Sequence, residues 1–256
     1  MFFHVVKDVH LTYYNDEIIV LDLQKDRYLI LQKEMANVVD FALRYEFQLS
    51  EGKYIPIFPP ARKPIPDNFY ESIETLREMG IIESHNYVSS ISLEKKIFSA
   101  GAENIDWRMA YGDLHIKVPK LLLLEAYYFR VKVEALLKLR GFAKLVHAIQ
   151  KAGNRRSLKV INAPEYHMLT TALNRACFYY PIKTKCLEWA ATLTLLALKR
   201  GWQCNFVIGV QNMPFMAHAW VEANGMVVAD SQNLPDDLSV ILAEPFGKQK
   251  YVQRSY

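Results

Sequence analysis

The stretch from Leu187 to Leu198 constrains this chain more than any other. It reads Leu-Glu-Trp-Ala-Ala-Thr-Leu-Thr-Leu-Leu-Ala-Leu, with Glu188 as its one charged residue. A run of this length, rich in Ala and Leu and free of Gly and Pro, is helical. A helix that is apolar nearly all round must be enclosed by other elements. Its ends are marked as well. Pro181 closes what precedes it, Thr184 is the expected N-cap, and Lys199 and Arg200 fill the last turn before Gly201. Cys186 therefore stands in the first turn of a buried helix.

That position has chemical consequences. Unpaired backbone N–H groups and the positive end of the helix dipole favour thiolate over thiol. The same N–H groups can act as oxyanion donors. Position alone also fits a plainer role, in which Cys186 is a small apolar residue at the head of a core helix. Cys177, among aromatics, and Cys204, at the start of an apolar strand, are assigned that plainer role.

A nucleophilic thiolate needs a base, and the base needs a group to orient it. The segment Ala217 to Asp230 reads as two strands about a tight turn at Asn224-Gly225. Two registers compete. A two-residue loop of Asn224-Gly225 pairs Ala219 with Asp230. A three-residue loop, Ala223-Asn224-Gly225, pairs His218 with Asp230 and gathers Ala219, Val221, Val227 and Ala229 on the other face. A one-residue slip exchanges the faces, so the burial pattern decides, and it favours the second register. Cross-strand neighbours have Cβ atoms about 5 Å apart, close enough for a carboxylate to orient an imidazole. Cys186, His218 and Asp230 are the expected catalytic triad.

Composition sets broad bounds. With 256 residues, 51% hydrophobic and 23% charged, the chain can fold as one or two domains, and nothing in it signals disorder. A net charge of +4 implies neither nucleic acid nor membrane as a partner. Met1-Phe2-Phe3-His4 lacks the basic-then-apolar pattern of a signal peptide. Leu121 to Leu137 is the longest apolar stretch, and Glu125, Arg130, Lys132 and Glu134 break it short of the roughly 20 residues a membrane span needs. A soluble cytoplasmic protein is expected. The three cysteines and seven scattered histidines give neither a disulfide framework nor a metal site.

The first third reads as a small α+β unit. His10–Tyr14, Glu17–Leu23 and Arg27–Leu31 are β-prone runs separated by turn residues. A helix follows over Met35, Val38, Val39 and Ala42, then a proline-rich loop from Pro56 to Pro66. Asp67 is the expected N-cap of a helix through Met79, with Gly80 as its stop and Phe69, Ile73 and Leu76 as its buried stripe. The extended Ile81-Ile82-Glu83 comes next. This order resembles a winged helix. DNA binding is nevertheless not expected, because a recognition helix presents basic and amide groups, whereas this one carries Asp67, Glu71, Glu74 and Glu78 against Arg77 alone. Residues 88–118 are expected to be a connector with a short helix. Pro119 opens a long helix to about Arg140, where Gly141 interrupts it.

The order Cys, His, Asp resembles the transglutaminase-like branch of papain-fold enzymes. More narrowly, five features resemble the B proteins of lasso peptide biosynthesis, which are leader peptidases. They are Cys186-Leu187 heading an apolar helix, Gly201 after a basic pair, Ile208-Gly209-Val210, His218-Ala219-Trp220-Val221-Glu222, and Asp230 beyond. This likeness covers roughly residues 119–256. Leu21-Asp22-Leu23 followed by Asp26-Arg27-Tyr28 is similar to the PqqD-like precursor recognition element, although the loop Pro56 to Pro66 is longer than in a minimal element. The resemblance implies a leader-recognition domain at 1–87, a connector at 88–118 and a peptidase domain at 119–256.

It also implies a division of labour. The leader peptide would add as a strand beside Arg27, Tyr28, Leu29, Ile30 and Leu31 and pack against Phe69, Ile73 and Leu76. Cys186 would cut the leader–core junction with His218 as acid–base and Asp230 orienting it. The freed core amine would pass to an asparagine-synthetase-like macrolactam synthetase, the implied partner. No metal or organic cofactor is needed, and no Gly-rich phosphate loop occurs. Two other readings stand beside it: a transglutaminase that keeps the triad but passes the acyl group to an amine, and a non-enzymatic scaffold that binds the precursor for another enzyme.

Overall fold

The computed structural model describes residues 1–50, 53–57, 64–87, 93, 115–154 and 157–247. The chain divides into two compact units, Met1–Ser99 and Ala100–Tyr256. The expected short helix of the connector and Pro59-Pro60 of the proline-rich loop lie outside the described residues. Among the described residues no helix is long and apolar enough to cross a membrane.

The first unit runs β1 (Phe2–Val5), β2 (Val9–Tyr14), β3 (Glu17–Asp22), β4 (Arg27–Leu31), α1 (Lys33–Arg44), β5 (Phe47–Ser50), β6 (Lys53–Pro56), α2 (Phe69–Glu78) and β7 (Ile82–His85). The three β-prone runs form an antiparallel sheet of order β2-β3-β4, which leaves β4 at an edge. β1 pairs with β7 and β5 with β6, pairings the sequence pattern did not reveal. Val38, Val39 and Ala42 of α1 and Phe69, Ile73 and Leu76 of α2 are buried in one core with Ile18 and Val20 of β3. Aromatic rings tie this core together, with Phe47 stacked on Phe69 at 5.5 Å and Phe3 edge-on to Phe47 at 5.2 Å. The N-cap of α2 is Asn68, not Asp67. The Phe69 N–H is taken by the Pro66 carbonyl, so the chain turns through a left-handed Asn68 before the helix begins.

The second unit opens with α3 (Lys120–Gly153), in which Gly141 at φ 77° breaks the helix into two. β8 (Lys159–Val160), a 3₁₀ turn (Ala163–Tyr166), α4 (His167–Phe178) and α5 (Cys186–Lys199) follow. Then come β9 (Trp202–Gln203), β10 (Asn205–Gln211), β11 (Met216–Ala223), β12 (Met226–Val227), α6 (Leu234–Asp237) and β13 (Ser239–Glu244). The main sheet is antiparallel in the order β12-β11-β10-β13. Helix α5 is enclosed as its composition requires. It packs on α3, α4, β10 and β11, and every residue from Trp189 to Leu198 is buried. Glu125 of α3 takes both Lys199, at 2.6 Å, and Arg200, fastening the C-terminal end of α5 to its neighbour.

The hairpin between β11 and β12 corrects the expected register. Ala223 pairs with Met226 and Glu222 with Val227, so the loop is Asn224-Gly225 alone. Both loop residues have positive φ, at 50° and 74°, as the tight turn that matches strand twist demands. The turn chemistry outweighed the burial pattern, because the paired strand ends before that pattern would have applied.

Candidate active site

Cys186 is the first residue of α5, and Lys185 rather than Thr184 is its N-cap. The Lys185 backbone N–H donates to the Glu188 carboxylate at 3.1 Å, satisfying a group that the helix itself cannot. Thr184 has a different task. Its hydroxyl, buried, accepts a hydrogen bond from Arg130 Nε at 3.0 Å. Arg130 is 0% exposed; its Nη1 donates to Glu134 at 2.8 Å and its guanidinium lies 4.3 Å above the Tyr180 ring. Its Nη2 has no hydrogen-bond partner among the described residues. Helix α3 thus grips the segment that leads into Cys186, through a charged residue that breaks the apolar run of α3. A signal was present: Arg130 falls at helical spacing from the buried Ala126 and Val133.

His218 stands in β11 at 3% exposure, with its Nε2 2.8 Å from Asp230 Oδ2. The other face of the ring is hydrogen-bonded to the Cys186 thiol, so one imidazole bridges thiol and carboxylate. Burial is the largest influence on both groups and opposes charge on each. The hydrogen bonds and mutual attraction together overcome it. His218 is pushed up to about 9 by Asp230 and Cys186. Cys186 is held below the ordinary thiol range by His218 and by the backbone N–H groups of Ala219 and Leu187. Both shifts favour a thiolate–imidazolium pair over the neutral thiol and imidazole. Cys177 and Cys204 are the opposite case: burial pushes both thiols up, Cys204 to about 12.

Asp230 reaches His218 by a route other than the one expected. In the observed register a continued strand would put Asp230 opposite Ala219, on the wrong face. The ladder instead ends with the Val228 N–H on the Val221 carbonyl. Ala229 then takes a left-handed φ of 55°, which turns Asp230 toward the ring. Such a conformation costs a residue with a Cβ about 1 kcal/mol or more, and persists where the surrounding structure holds it.

Behind the histidine the sheet is shaped to receive a large ring. Trp220, fully buried, stacks with His218 at 6.2 Å and donates from Nε1 to Glu222 at 2.8 Å. Gly209 is the cross-strand partner of His218, and a Cβ there would lie 2.6 Å from the Trp220 ring. Chemically, the arrangement offers an activated thiolate, an acid to protonate a leaving group, and N–H groups at a helix start near the reacting atom. Among the described residues no group of three or more His, Cys, Asp or Glu is placed to hold a metal ion.

The residues expected to bind a leader lie in the first unit. Arg27, Tyr28 and Leu29 of β4 are partly exposed, Ile30 is 39% exposed and Leu31 is buried. Asp22, buried, pairs with Arg27 at 3.6 Å and accepts the Lys25 N–H at 3.1 Å, which braces the turn into β4. Phe69, Ile73 and Leu76 are at most 1% exposed and spend their surface in the core. They can set where α2 lies but offer a peptide no surface. A cleft of about 670 Å³ between α1 and residues 64–72 is lined by Met35, Phe41, Arg44 and Pro66, and includes no residue of β4.

Residues 129–243 match the family model of the transglutaminase-like superfamily, so the second unit carries a transglutaminase-like domain. The chain is also 27% identical over 124 residues to the microcin J25-processing protein McjB of Escherichia coli, covering 47% of this chain and 55% of that protein. The chain thus spans about half the length of the curated relative it matches. No solved structure matches it.

Proposed function

We propose that this protein is a cysteine peptidase that removes the leader from a lasso precursor peptide, working through Cys186, His218 and Asp230. The observation that carries the reading is the single His218 ring hydrogen-bonded to Cys186 on one side and Asp230 on the other. The transglutaminase-like domain supports the enzyme class, and the likeness to a protein named for processing microcin J25 supports a precursor peptide as the substrate.

In this reading the Cys186 thiolate attacks the carbonyl carbon at the leader–core junction. The tetrahedral oxyanion is met by N–H groups at the start of α5. His218 gives its proton to the departing amine, leaving a thioester on Cys186. It then takes a proton from water, whose hydroxide cleaves the thioester and releases the leader's carboxylate. Asp230 holds the ring with its proton-bearing face toward the reaction. The freed core amine would serve an asparagine-synthetase-like macrolactam synthetase.

The first unit would act as a PqqD-like recognition element of winged-helix type. Edge strand β4 would take the leader as an added strand, with main-chain hydrogen bonds giving affinity. Ile30 is the side chain best exposed there for contact, while Phe69, Ile73 and Leu76 fix α2 from within.

The test is a mass spectrum of a lasso precursor incubated with the protein and with Cys186→Ala. The reading requires a cut at the leader–core junction, with water added, by the intact protein alone. A cross-linked product would identify an acyl transferase instead. Equal processing by both proteins would remove Cys186 from the chemistry altogether.

A further inference from the structure

The loop that carries Asp230 has little regular structure to hold it. β12 is two residues long and lies at the outer end of its sheet. Ala229, just before Asp230, has the left-handed φ of 55° that a residue with a Cβ adopts only at a cost. A loop like this needs a tether if Asp230 is to stay on His218.

The register shows where a tether can attach. Ala223 and Met226 close the two-residue loop, so Glu222 and Val227 form the next, non-hydrogen-bonded pair of the ladder. At such a pair the backbone N–H and C=O point away from the partner strand. Gln232 meets both groups of Val227. Its Oε1 accepts from the Val227 N–H at 3.1 Å, and its Nε2 donates to the Val227 carbonyl at 2.7 Å. One side-chain amide therefore supplies what a further strand would supply. The ring it closes contains Ala229 and Asp230. Within that ring the Ser231 N–H donates to Asp230 Oδ1 at 2.8 Å, which leaves Oδ2 for His218 Nε2.

We propose that Gln232 is a positioning residue of this site, clamping Val227 so that Asp230 meets His218 and keeps the ring turned to Cys186. The proposal rests on the triad reading of Cys186, His218 and Asp230. It gives an exposed glutamine, lying outside every motif in the sequence, a defined role.

The experiment needs no substrate. The rate of Cys186 alkylation by iodoacetamide is followed by peptide mass mapping from about pH 5 to about pH 10, beside a thermal melt of the full chain. Three variants are compared: Gln232→Met, of similar length without the amide; Gln232→Asn, with an amide one methylene too short; and Asp230→Asn. Both Gln232 variants are expected to melt like the unsubstituted protein, since the side chain is exposed. Their alkylation below neutral pH should fall about tenfold, the scale on which outer-layer hydrogen bonds tune a site, with the profile moving in the same direction as for Asp230→Asn. Profiles that superimpose on the unsubstituted protein, while Asp230→Asn shifts, would overturn the role of Gln232 alone. No shift in any variant, Asp230→Asn included, would overturn the triad reading and the proposal with it.

Discussion

Gly209 lies directly across the β10–β11 ladder from His218, and the space its missing side chain leaves is filled by the Trp220 indole. A Cβ at 209 would come within 2.6 Å of that ring and 2.8 Å of Leu238 Cβ. The indole cannot step aside freely, being fully buried and hydrogen-bonded to Glu222. Gly209→Ala should therefore cost about 1–3 kcal/mol, as overpacking does, and disturb the ring stacked beside His218. Urea unfolding measures the first effect and Cys186 alkylation the second. An unchanged midpoint would mean that the sheet relaxes around the methyl group.

The thiolate–imidazolium pair sets a pH window. Cys186 must have lost its proton and His218 must hold one, so the pair persists between the lowered Cys186 value and about pH 9, where His218 releases its proton. Peptide cleavage should be bell-shaped with an alkaline midpoint near 9. The linkage signs agree with this. The raised His218 stabilises the fold fully below its unfolded value of 6.5, and that contribution is lost as pH rises through about 9. The lowered Cys186 stabilises the fold above its unfolded value of 9.0, and that contribution is lost as pH falls through its folded value. Both describe one interaction and are not summed. Asp230→Asn removes the charge that favours imidazolium, so the alkaline midpoint should move down and the rate should drop about 10⁴-fold. An alkaline limb that stays in place would show that another group controls it.

Thr184→Val keeps the shape of a buried side chain and deletes the acceptor for Arg130 Nε. Arg130 already has an unpartnered Nη2, and a second orphaned donor on a buried charge should cost about 1–3 kcal/mol. The segment from Tyr180 into Cys186 would lose its tie to α3, so cleavage should slow along with the loss of stability. Unfolding at the original urea concentration would show that the bond contributes nothing net.

Ile30→Asp places a charge on the exposed side of β4. Stability should change by less than about 0.5 kcal/mol, as for other exposed sites, while affinity for a leader peptide should fall about tenfold. Fluorescence anisotropy with a labelled leader reads this directly. Unchanged affinity would move the binding surface away from β4, and the cleft between α1 and residues 64–72 would be the next place to probe.

What the sequence determined by itself is what neighbouring residues determine. Ala, Leu and Trp in an unbroken run make α5 and bury it, Gly201 stops it at a φ of 74°, and Asn224-Gly225 makes the turn. These follow from backbone sterics and propensity acting over a few residues, and Cys186, His218 and Asp230 could be picked out as candidates beside them. The tertiary structure decided how Cys186, His218 and Asp230 meet. The periodic pattern assumed a strand that continued through Asp230; β12 stops at Val227, the last ladder bond is made by the Val228 N–H, and Ala229 turns the carboxylate to His218. Arg130 grips Thr184 from 54 residues away, and Phe69, Ile73 and Leu76, legible as the buried stripe of α2, are packed so fully that they leave a peptide no surface. Such outcomes depend on which side chains meet after the chain has closed, and a pattern read along the chain carries no record of those distances.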